Sequence, residues 1–185
     1  MDMNEFRRLA TKIDQHMQQL SAEGVRDSPA IINRMMGYGP DLHKIWVGAS
    51  DGQLMALCAE FQSFYRYAWL MEQASEAERN RPSRPYDDLL PLPEQFKKQG
   101  IELLTVAANL ERGYQAFVGS AKPRVFQPQV DVMNTLHQKW LSDVEGFKAG
   151  LRGLGAEPKA LNYVDEVFGR FAVRIERLAA SSRSA

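Results

Sequence analysis

Only one cysteine, Cys58, and three histidines occur among the 185 residues of this chain. A single cysteine excludes an intrachain disulfide framework. Metal centres in helical proteins need ligands at helical spacing, such as a carboxylate three residues before a histidine. No carboxylate stands at that distance before any of the three, which are His16, His43 and His137. The sequence therefore predicts neither a disulfide-stabilised fold nor a metal site, and it predicts no cofactor.

The chain also lacks an excess of charge and a long apolar run. Lys plus Arg and Asp plus Glu number 23 each, so the formal net charge is zero. Nucleic-acid binders usually carry a basic excess, because counterion release from phosphates supplies much of their affinity. No segment is long and apolar enough for a membrane span, and residues 1–20 contain no apolar signal core. We therefore expect a soluble, cytoplasmic protein that binds no membrane, with nucleic acid as the least favoured partner.

No run of β-branched residues is long enough to form a sheet, whereas apolar residues recur at spacings of three and four. Such spacing places them on one face of a helix. The first example is Phe6, Leu9, Ile13, Met17 and Leu20. Because short connections join stripes of this kind, the sequence predicts an all-α fold. We expect a mostly antiparallel helical bundle of about five long helices plus one or two short ones, in one domain of residues 1–185.

Prolines and glycines predict where the helices end. Gly24 is expected to end the first helix, and Ser28 to cap a second helix that has Pro29 at its first position. Residues 37–40 are expected to end that short helix, and residues 41–47 are either helical or extended. Four prolines in residues 81–93 predict a loop, and two more predict a second loop in residues 119–129. Pro93 is expected to begin the helix between these loops, which has Phe96, Leu103, Leu104, Ala107, Leu110, Tyr114, Phe117 and Val118 along one side. Residues 181–185 are expected to form a frayed tail.

The segment from residue 51 to about residue 80 reads as one helix with apolar side chains on nearly every side. Its aromatic residues are the first candidate site for a ligand or partner, because aromatic side chains dominate binding surfaces. They are Phe61, Phe64, Tyr65, Tyr67 and Trp69. The pattern leaves three explanations open: the centre of the core, a surface that contacts another chain, or the wall of an apolar ligand pocket.

Two further amphipathic helices are predicted in the C-terminal third. The first stripe is Val132, Leu136, Trp140, Val144, Phe147 and Leu151, and the second is Leu161, Val164, Phe168, Phe171, Ile175 and Leu178. His16 and His137 are expected at the edges of apolar stripes, each bonded to a neighbour or to water.

Residues 48–52 match the G-x-S-x-G pattern, in which a hydrolase serine stands between a strand and a helix. The later chain offers Asp87, Asp88 or Asp131 and then His137 as partners. We favour a structural interpretation, in which Ser50 or Asp51 caps a helix, because no multi-stranded sheet is predicted. Cys58 stands among apolar residues and is interpreted as a small buried side chain rather than a nucleophile. No catalytic residue is predicted.

Two groups of basic residues are candidate anion sites. A basic patch surrounds the proline-rich loop and consists of Arg79, Arg81, Arg84, Lys97 and Lys98. The second group, Arg170, Arg174 and Arg177, lies on the last helix, where Glu166 is placed to pair with Arg170 four residues later.

Three hypotheses about function follow. The first is a non-enzymatic, protein-binding helical protein (an adaptor, accessory or regulatory protein) that binds another chain or itself. The second is a binder of a small apolar ligand, or an enzyme, with a pocket beside the central aromatic helix and Tyr65, Trp69 or His137 as polar groups. The third is nucleic-acid binding through residues 79–98. Whether the chain is an enzyme stays open, and the absence of a catalytic constellation weighs against it.

Overall fold

The computed structural model describes residues 2–79 and 92–184, and for residues 76–79 it describes the backbone alone. Within these ranges the protein is predominantly helical and contains no strand, so the prediction of an all-α fold is confirmed. Of the predicted loop at residues 81–93, only Leu92 and Pro93 lie within the described residues. Pro93 precedes the first residue of a long helix, as predicted.

The helices divide into two compact units. The first comprises Met1–Ser75 and Arg124–Phe126, and the second comprises Glu76–Pro123 and Gln127–Ala185. In chain order the α-helices are α1 (Met3–Ala22), α2 (Ser28–Met35), α3 (Gly39–Gly48), α4 (Asp51–Glu60), α5 (Gln62–Arg79), α6 (Glu94–Gly119), α7 (Gln127–Gly153) and α8 (Pro158–Ser182). Two 3₁₀ turns lie at Met36–Tyr38 and Pro123–Phe126. The single domain over residues 1–185 stays a prediction.

Helix α1 has the face that its sequence predicts. Its five apolar stripe residues are all buried, and Asp2 caps its first turn by accepting hydrogen bonds from the backbone N–H groups of Asn4 and Glu5. The helix ends at Ala22, and Gly24 follows with a φ of +79°. Only glycine adopts this left-handed conformation at low cost, which is why the chain turns there.

The next two helices begin elsewhere than predicted. Asp27, rather than Ser28, caps α2, because its carboxylate accepts a hydrogen bond from the Ala30 N–H at 3.1 Å. Gly39 and Pro40 begin α3 after the first 3₁₀ turn, since proline is well suited to the first turn of a helix. Residues 41–47, which the sequence left ambiguous, are helical.

The predicted single helix over residues 51–80 is wrong, because the chain breaks at Phe61 into α4 and α5. Phe61 has φ −122° and ψ 85°, outside the helical region. On the far side of the break, the Phe64 N–H donates to the carboxylate of Asp14 at 2.9 Å. Asp14 lies on α1 and is buried, so a residue 50 positions away provides the N-terminal cap of α5. No local signal in residues 51–80 reveals this contact.

The core of the first unit is closed by an aromatic side chain from the connection between α6 and α7. Phe126 is fully buried and lies against three rings. The ring centroids of Trp46, Tyr65 and Trp69 are 5.5, 5.9 and 4.9 Å from that of Phe126. Contacts between aromatic rings add stabilisation beyond that from the burial of their surface, so Phe126 anchors its short 3₁₀ turn to the first unit.

The second unit contains three long helices that contact one another pairwise. Trp140 Nε1 of α7 donates to the Leu103 carbonyl of α6 at 2.9 Å, and the Tyr114 hydroxyl of α6 donates to Asn134 Oδ1 of α7 at 2.6 Å. Residue numbers rise along α6 while those of the partners fall along α7, so these helices are antiparallel. This agrees with the predicted bundle of mostly antiparallel helices.

Helices α7 and α8 are antiparallel by the same argument. Lys148 of α7 pairs with Asp165 of α8 at 2.9 Å, and further along the pair His137 lies beside a cavity that Ala180 also lines. Helix α8 is helical through Ser182, which is buried and donates to the Ala179 carbonyl at 2.7 Å. The expected frayed tail therefore begins later than residue 181.

The predicted apolar stripe of α7 is displaced by one position in its first half. Val132 and Leu136 are 53% and 45% exposed, whereas Val130, Met133 and His137 are buried. The prediction counted back from Trp140 in two steps of four, whereas a period of 3.6 residues favours Met133 over Val132 and does not decide between Leu136 and His137. Packing therefore settles which of these two side chains is buried. Helix α7 also begins at Gln127, so the second predicted loop, over residues 119–129, is shorter than expected.

Candidate functional site: a groove between α7 and α8

The candidate site is a cavity of about 600 Å³ along the seam of α7 and α8 in the second unit. Two residues of α7 and five of α8 line it: His137, Leu141, Ala172, Val173, Glu176, Arg177 and Ala180. The α8 residues recur at helical spacing, which brings them onto one side of that helix. Val173 is 61% exposed, so the cavity is a groove that opens to solvent. Its volume lies in the range of small-molecule sites.

His137 is the most buried of the lining residues, with 2% of its surface exposed. Its ring lies between those of Tyr114 and Trp140, with centroids 6.3 and 6.4 Å away. Neither neighbour donates to His137, because the Tyr114 hydroxyl donates to Asn134 and the Trp140 indole N–H donates to the Leu103 carbonyl. Within the described part of the chain, His137 Nε2 is buried and has no hydrogen-bond partner. Such an atom is uncommon in a folded protein, because its desolvation is not compensated.

Burial determines the protonation state of this group. Desolvation lowers the pKa of His137 below its ordinary value of 6.5, while Glu176 raises it and Arg183 lowers it by smaller amounts. Desolvation likewise raises the pKa of Tyr114 to about 12. At neutral pH the site therefore presents an uncharged imidazole beside an uncharged phenol.

The charges at the mouth of the groove are partly paired. Glu176 Oε1 accepts a hydrogen bond from Arg183 at 3.4 Å, and both side chains are more than half exposed. Arg177 is also exposed, and its carbonyl accepts a hydrogen bond from the Ser181 hydroxyl at 3.1 Å. The groove thus combines aliphatic walls, one buried neutral imidazole and a charged rim, which suits binding of an apolar molecule.

The aromatic residues predicted as a ligand or partner site lie in the first unit. Phe64, Tyr67 and Trp69 are buried, and Phe61 and Tyr65 are half-buried. The Tyr67 hydroxyl donates to the Met35 carbonyl at 3.1 Å, and desolvation raises the pKa of this tyrosine. These five residues therefore contribute mainly to the core of the first unit, and their role in binding a partner stays a prediction.

The predicted basic patch is described only in part. Arg81, Arg84 and the side chain of Arg79 lie outside the described residues. Lys97 pairs with Glu94 at 2.5 Å, and Lys98 is exposed on α6. The described members thus offer little concentrated positive charge.

The other basic group, on α8, is largely neutralised. Arg170 pairs with Glu166, as predicted. Arg174 donates two hydrogen bonds to Glu111, at 2.8 and 3.2 Å, and its guanidinium lies 4.6 Å from the centre of the Phe171 ring. Arg177 alone of the three borders the groove.

The structural interpretation of the G-x-S-x-G segment is confirmed. Ser50 Oγ accepts a hydrogen bond from the Gln53 N–H at 3.3 Å, and Gln53 Oε1 accepts one from the Ser50 N–H at 2.9 Å. This reciprocal pair is a capping box at the start of α4. The residues before it form α3 rather than a strand, so the geometry of a hydrolase nucleophile is missing.

The buried interpretation of Cys58 is confirmed as well. The side chain is 7% exposed, and burial raises the pKa of its thiol to about 12. A thiol that stays protonated is a poor nucleophile.

Sequence reasoning named His137 as a possible polar group of a pocket and Arg177 as part of a candidate anion site, but it missed the other four α8 residues. The sequence signal that could have indicated these α8 residues is Val173, which is apolar yet lies off the predicted stripe of α8. On α7, His137 is a polar residue three positions before Trp140 and four after Met133, a spacing that is compatible with the same buried side of the helix. Together these two irregularities mark the groove.

Comparisons with protein-family models, with curated proteins and with solved structures find no match to this chain. Among the described residues, no helix is both long and apolar enough to cross a lipid bilayer. A search of the same residues finds no group of three or more His, Cys, Asp or Glu side chains that could hold a metal ion. The geometry of the groove is therefore the basis for a proposal about function.

Proposed function

We propose that this protein binds a small, predominantly apolar molecule in the groove between α7 and α8. The observation that carries the proposal is an open, mostly apolar groove of about 600 Å³ that is lined by a buried imidazole whose Nε2 has no hydrogen-bond partner among the described residues. Small-molecule sites characteristically combine apolar walls with one or a few such polar groups.

The same observation distinguishes this proposal from a purely structural role for His137. A buried nitrogen that forms no hydrogen bond costs about 1–3 kcal/mol, whereas leucine or methionine would fill the same core position without that cost. Binding to another protein through Phe61 and the aromatic residues of α5 has less support, because those side chains are buried or half-buried.

The proposal is tested by titration with Nile red, an uncharged apolar dye whose fluorescence rises in apolar surroundings. We expect saturable binding at one site per chain. Val173→Asp should weaken it by about tenfold or more, because a carboxylate on the exposed wall of the groove makes it polar. Val47→Asp is the matched control, since Val47 is 72% exposed on α3 in the first unit.

Two results would contradict the proposal. One is the absence of saturable binding by the native chain. The other is an equal loss of affinity in the two valine variants, which would locate the dye elsewhere or indicate a general effect of added charge. Circular dichroism of each variant verifies that the helices are retained.

A further inference from the structure

We infer that the pairing of α7 with α8 is sensitive to acid: when His137 takes up a proton, the C-terminal part of α8 (residues 175–182) separates from α7 while the rest of the second unit stays folded. No ligand takes part, so this switch is independent of the proposed function. Three features of the structure support it: the position of His137, the lack of a partner for its buried nitrogen, and the uneven attachment of α8 along its length.

His137 is buried where α6, α7 and α8 meet. Its side chain is 2% exposed, its ring lies against Tyr114 of α6 and Trp140 of α7, and it borders the groove that residues of α8 line. Its Nε2 is buried and has no hydrogen-bond partner among the described residues. An imidazolium carries a donor on each nitrogen and a positive charge. A protonated ring therefore needs water or an acceptor that the closed arrangement does not supply.

The charged and titratable groups around the ring do not offset this penalty. Desolvation is the largest effect and lowers the pKa of His137, whereas Glu176 raises it and Arg183 lowers it by smaller amounts. These two α8 residues also pair with each other at 3.4 Å. Arg177, which lines the groove as well, stays protonated. On α6, burial raises the pKa of Tyr114 to about 12, so this neighbour is uncharged, and the neighbour on α7 is an indole that does not titrate.

Helix α8 is attached to α7 more firmly in its first part than in its last. Asp165 pairs with Lys148 at 2.9 Å, and the Phe168 ring lies 6.2 and 6.0 Å from two aromatic rings of α7. Among the described residues, no hydrogen bond, ion pair or ring contact joins residues 175–182 to α7, and their side-chain hydrogen bonds stay within α8. Because the groove beside them opens to solvent, separation of this segment brings water to the imidazole without unfolding the rest.

Proton linkage sets the size of the effect. In the open form the imidazole is in water and has its ordinary pKa of about 6.5, whereas the closed form binds the proton more weakly. At about pH 5.5, one unit below that value, the ratio of open to closed molecules is therefore raised by up to about tenfold, and at about pH 7.5 it is almost unchanged. A detached segment this short does not keep its helix, so its backbone amides exchange hydrogen from the open form.

The test is amide hydrogen exchange followed by NMR at about pH 7.5 and pH 5.5, expressed as protection factors that correct for the intrinsic effect of pH on exchange. At both pH values residues 175–182 should be less protected than residues 161–168 at the start of α8, because they open separately. Their protection should fall by about three- to tenfold at the lower pH. In His137→Phe this fall should disappear. His43→Phe, at an exposed position on α3, is the matched control and should behave as the native chain does.

Three results would overturn the switch. In the native chain, without any variant, equal protection of the two parts of α8 would show that the last part does not open separately. Protection of residues 175–182 that does not change with pH would show that their opening leaves His137 buried. A fall of the same size in His137→Phe would assign the effect to another group. His137→Gln, which also binds no proton at these pH values, replaces the phenylalanine variant if that variant does not fold.

Discussion

Three polar side chains are buried among the described residues, and they differ in how their hydrogen-bonding groups are used. Asp14 accepts from the Phe64 N–H and from the Gln18 amide, and Ser182 donates to the Ala179 carbonyl. His137 has a buried nitrogen with no such partner. The first two are explained by the helices that they support. For the third we propose a role at the candidate ligand site, and this contrast distinguishes that site from ordinary buried polar groups.

The burial of His137 predicts how stability depends on pH. Its pKa is lowered in the folded chain, whereas the unfolded chain has the ordinary value of about 6.5. Below about pH 6.5 the unfolded chain therefore takes up a proton that the folded chain does not. The contribution of this residue is fully present above that pH, and it is lost as the pH falls towards the lowered value. Urea unfolding between about pH 7.5 and pH 5.5 measures the effect.

His137→Phe isolates this contribution from those of other groups. The variant should lose less stability than the native chain over the same pH range, because phenylalanine cannot bind a proton. His43→Phe removes an exposed histidine instead, and its pH dependence should match that of the native chain. If both variants respond to pH as the native chain does, the imidazole of His137 is not desolvated in solution.

At the scale of helices, sequence periodicity predicted most of what the structure contains. The stripes of α1 and α8 and the apolar side of α6 needed only local information, because a spacing of three and four residues defines a helical face. Helix ends set by Gly24 and Pro93 were equally readable, since backbone conformation there depends on the residue itself. The all-α fold class and the positions of these helices therefore follow from the local sequence.

The errors at this scale have one physical cause, which is tertiary contact. The break at Phe61 is followed by a cap from the Asp14 carboxylate of another helix, and nothing in residues 51–80 signals this contact. The first half of α7 has two adjacent apolar faces, and packing rather than spacing decided that Val132 and Leu136 stay exposed. The candidate groove is also a feature set by tertiary contact, because it needs the register of α7 and the pairing of α7 with α8.

Asp14 provides the test of how the break between α4 and α5 is stabilised. Asp14→Ala should lower the free energy of unfolding by about 1–3 kcal/mol, because the Phe64 N–H then stays buried without its acceptor. Asp14→Asn keeps an acceptor oxygen and should cost less. Gln18→Ala is the control, since it removes only the amide that donates to the other carboxylate oxygen at 2.6 Å. A cost of Asp14→Ala no greater than that of Gln18→Ala would show that this cap contributes little.

At the scale of the whole molecule, the path of the chain limits how independent the two units can be. The chain passes from one unit to the other three times: after Ser75, before Arg124 and after Phe126. The first passage lies inside α5, which is continuous from Gln62 to Arg79. The last four residues of α5 belong to the second unit, so separate unfolding of the units would cost this helix the backbone hydrogen bonds of its last turn. This argument favours the single cooperative domain that the sequence predicts.

Two probes, one in each unit, test that cooperativity in a single variant. Cys58 is the only thiol and is buried in the first unit, so reaction with an aromatic disulfide reports the opening of that unit. Trp140 is buried in the second unit, and replacing Trp46 and Trp69 by Phe leaves it as the only tryptophan. We expect thiol reactivity and Trp140 fluorescence to change at the same urea concentration, as two-state unfolding requires. Separate midpoints would instead establish two domains, and the order of the midpoints would show which unit needs the other to stay folded.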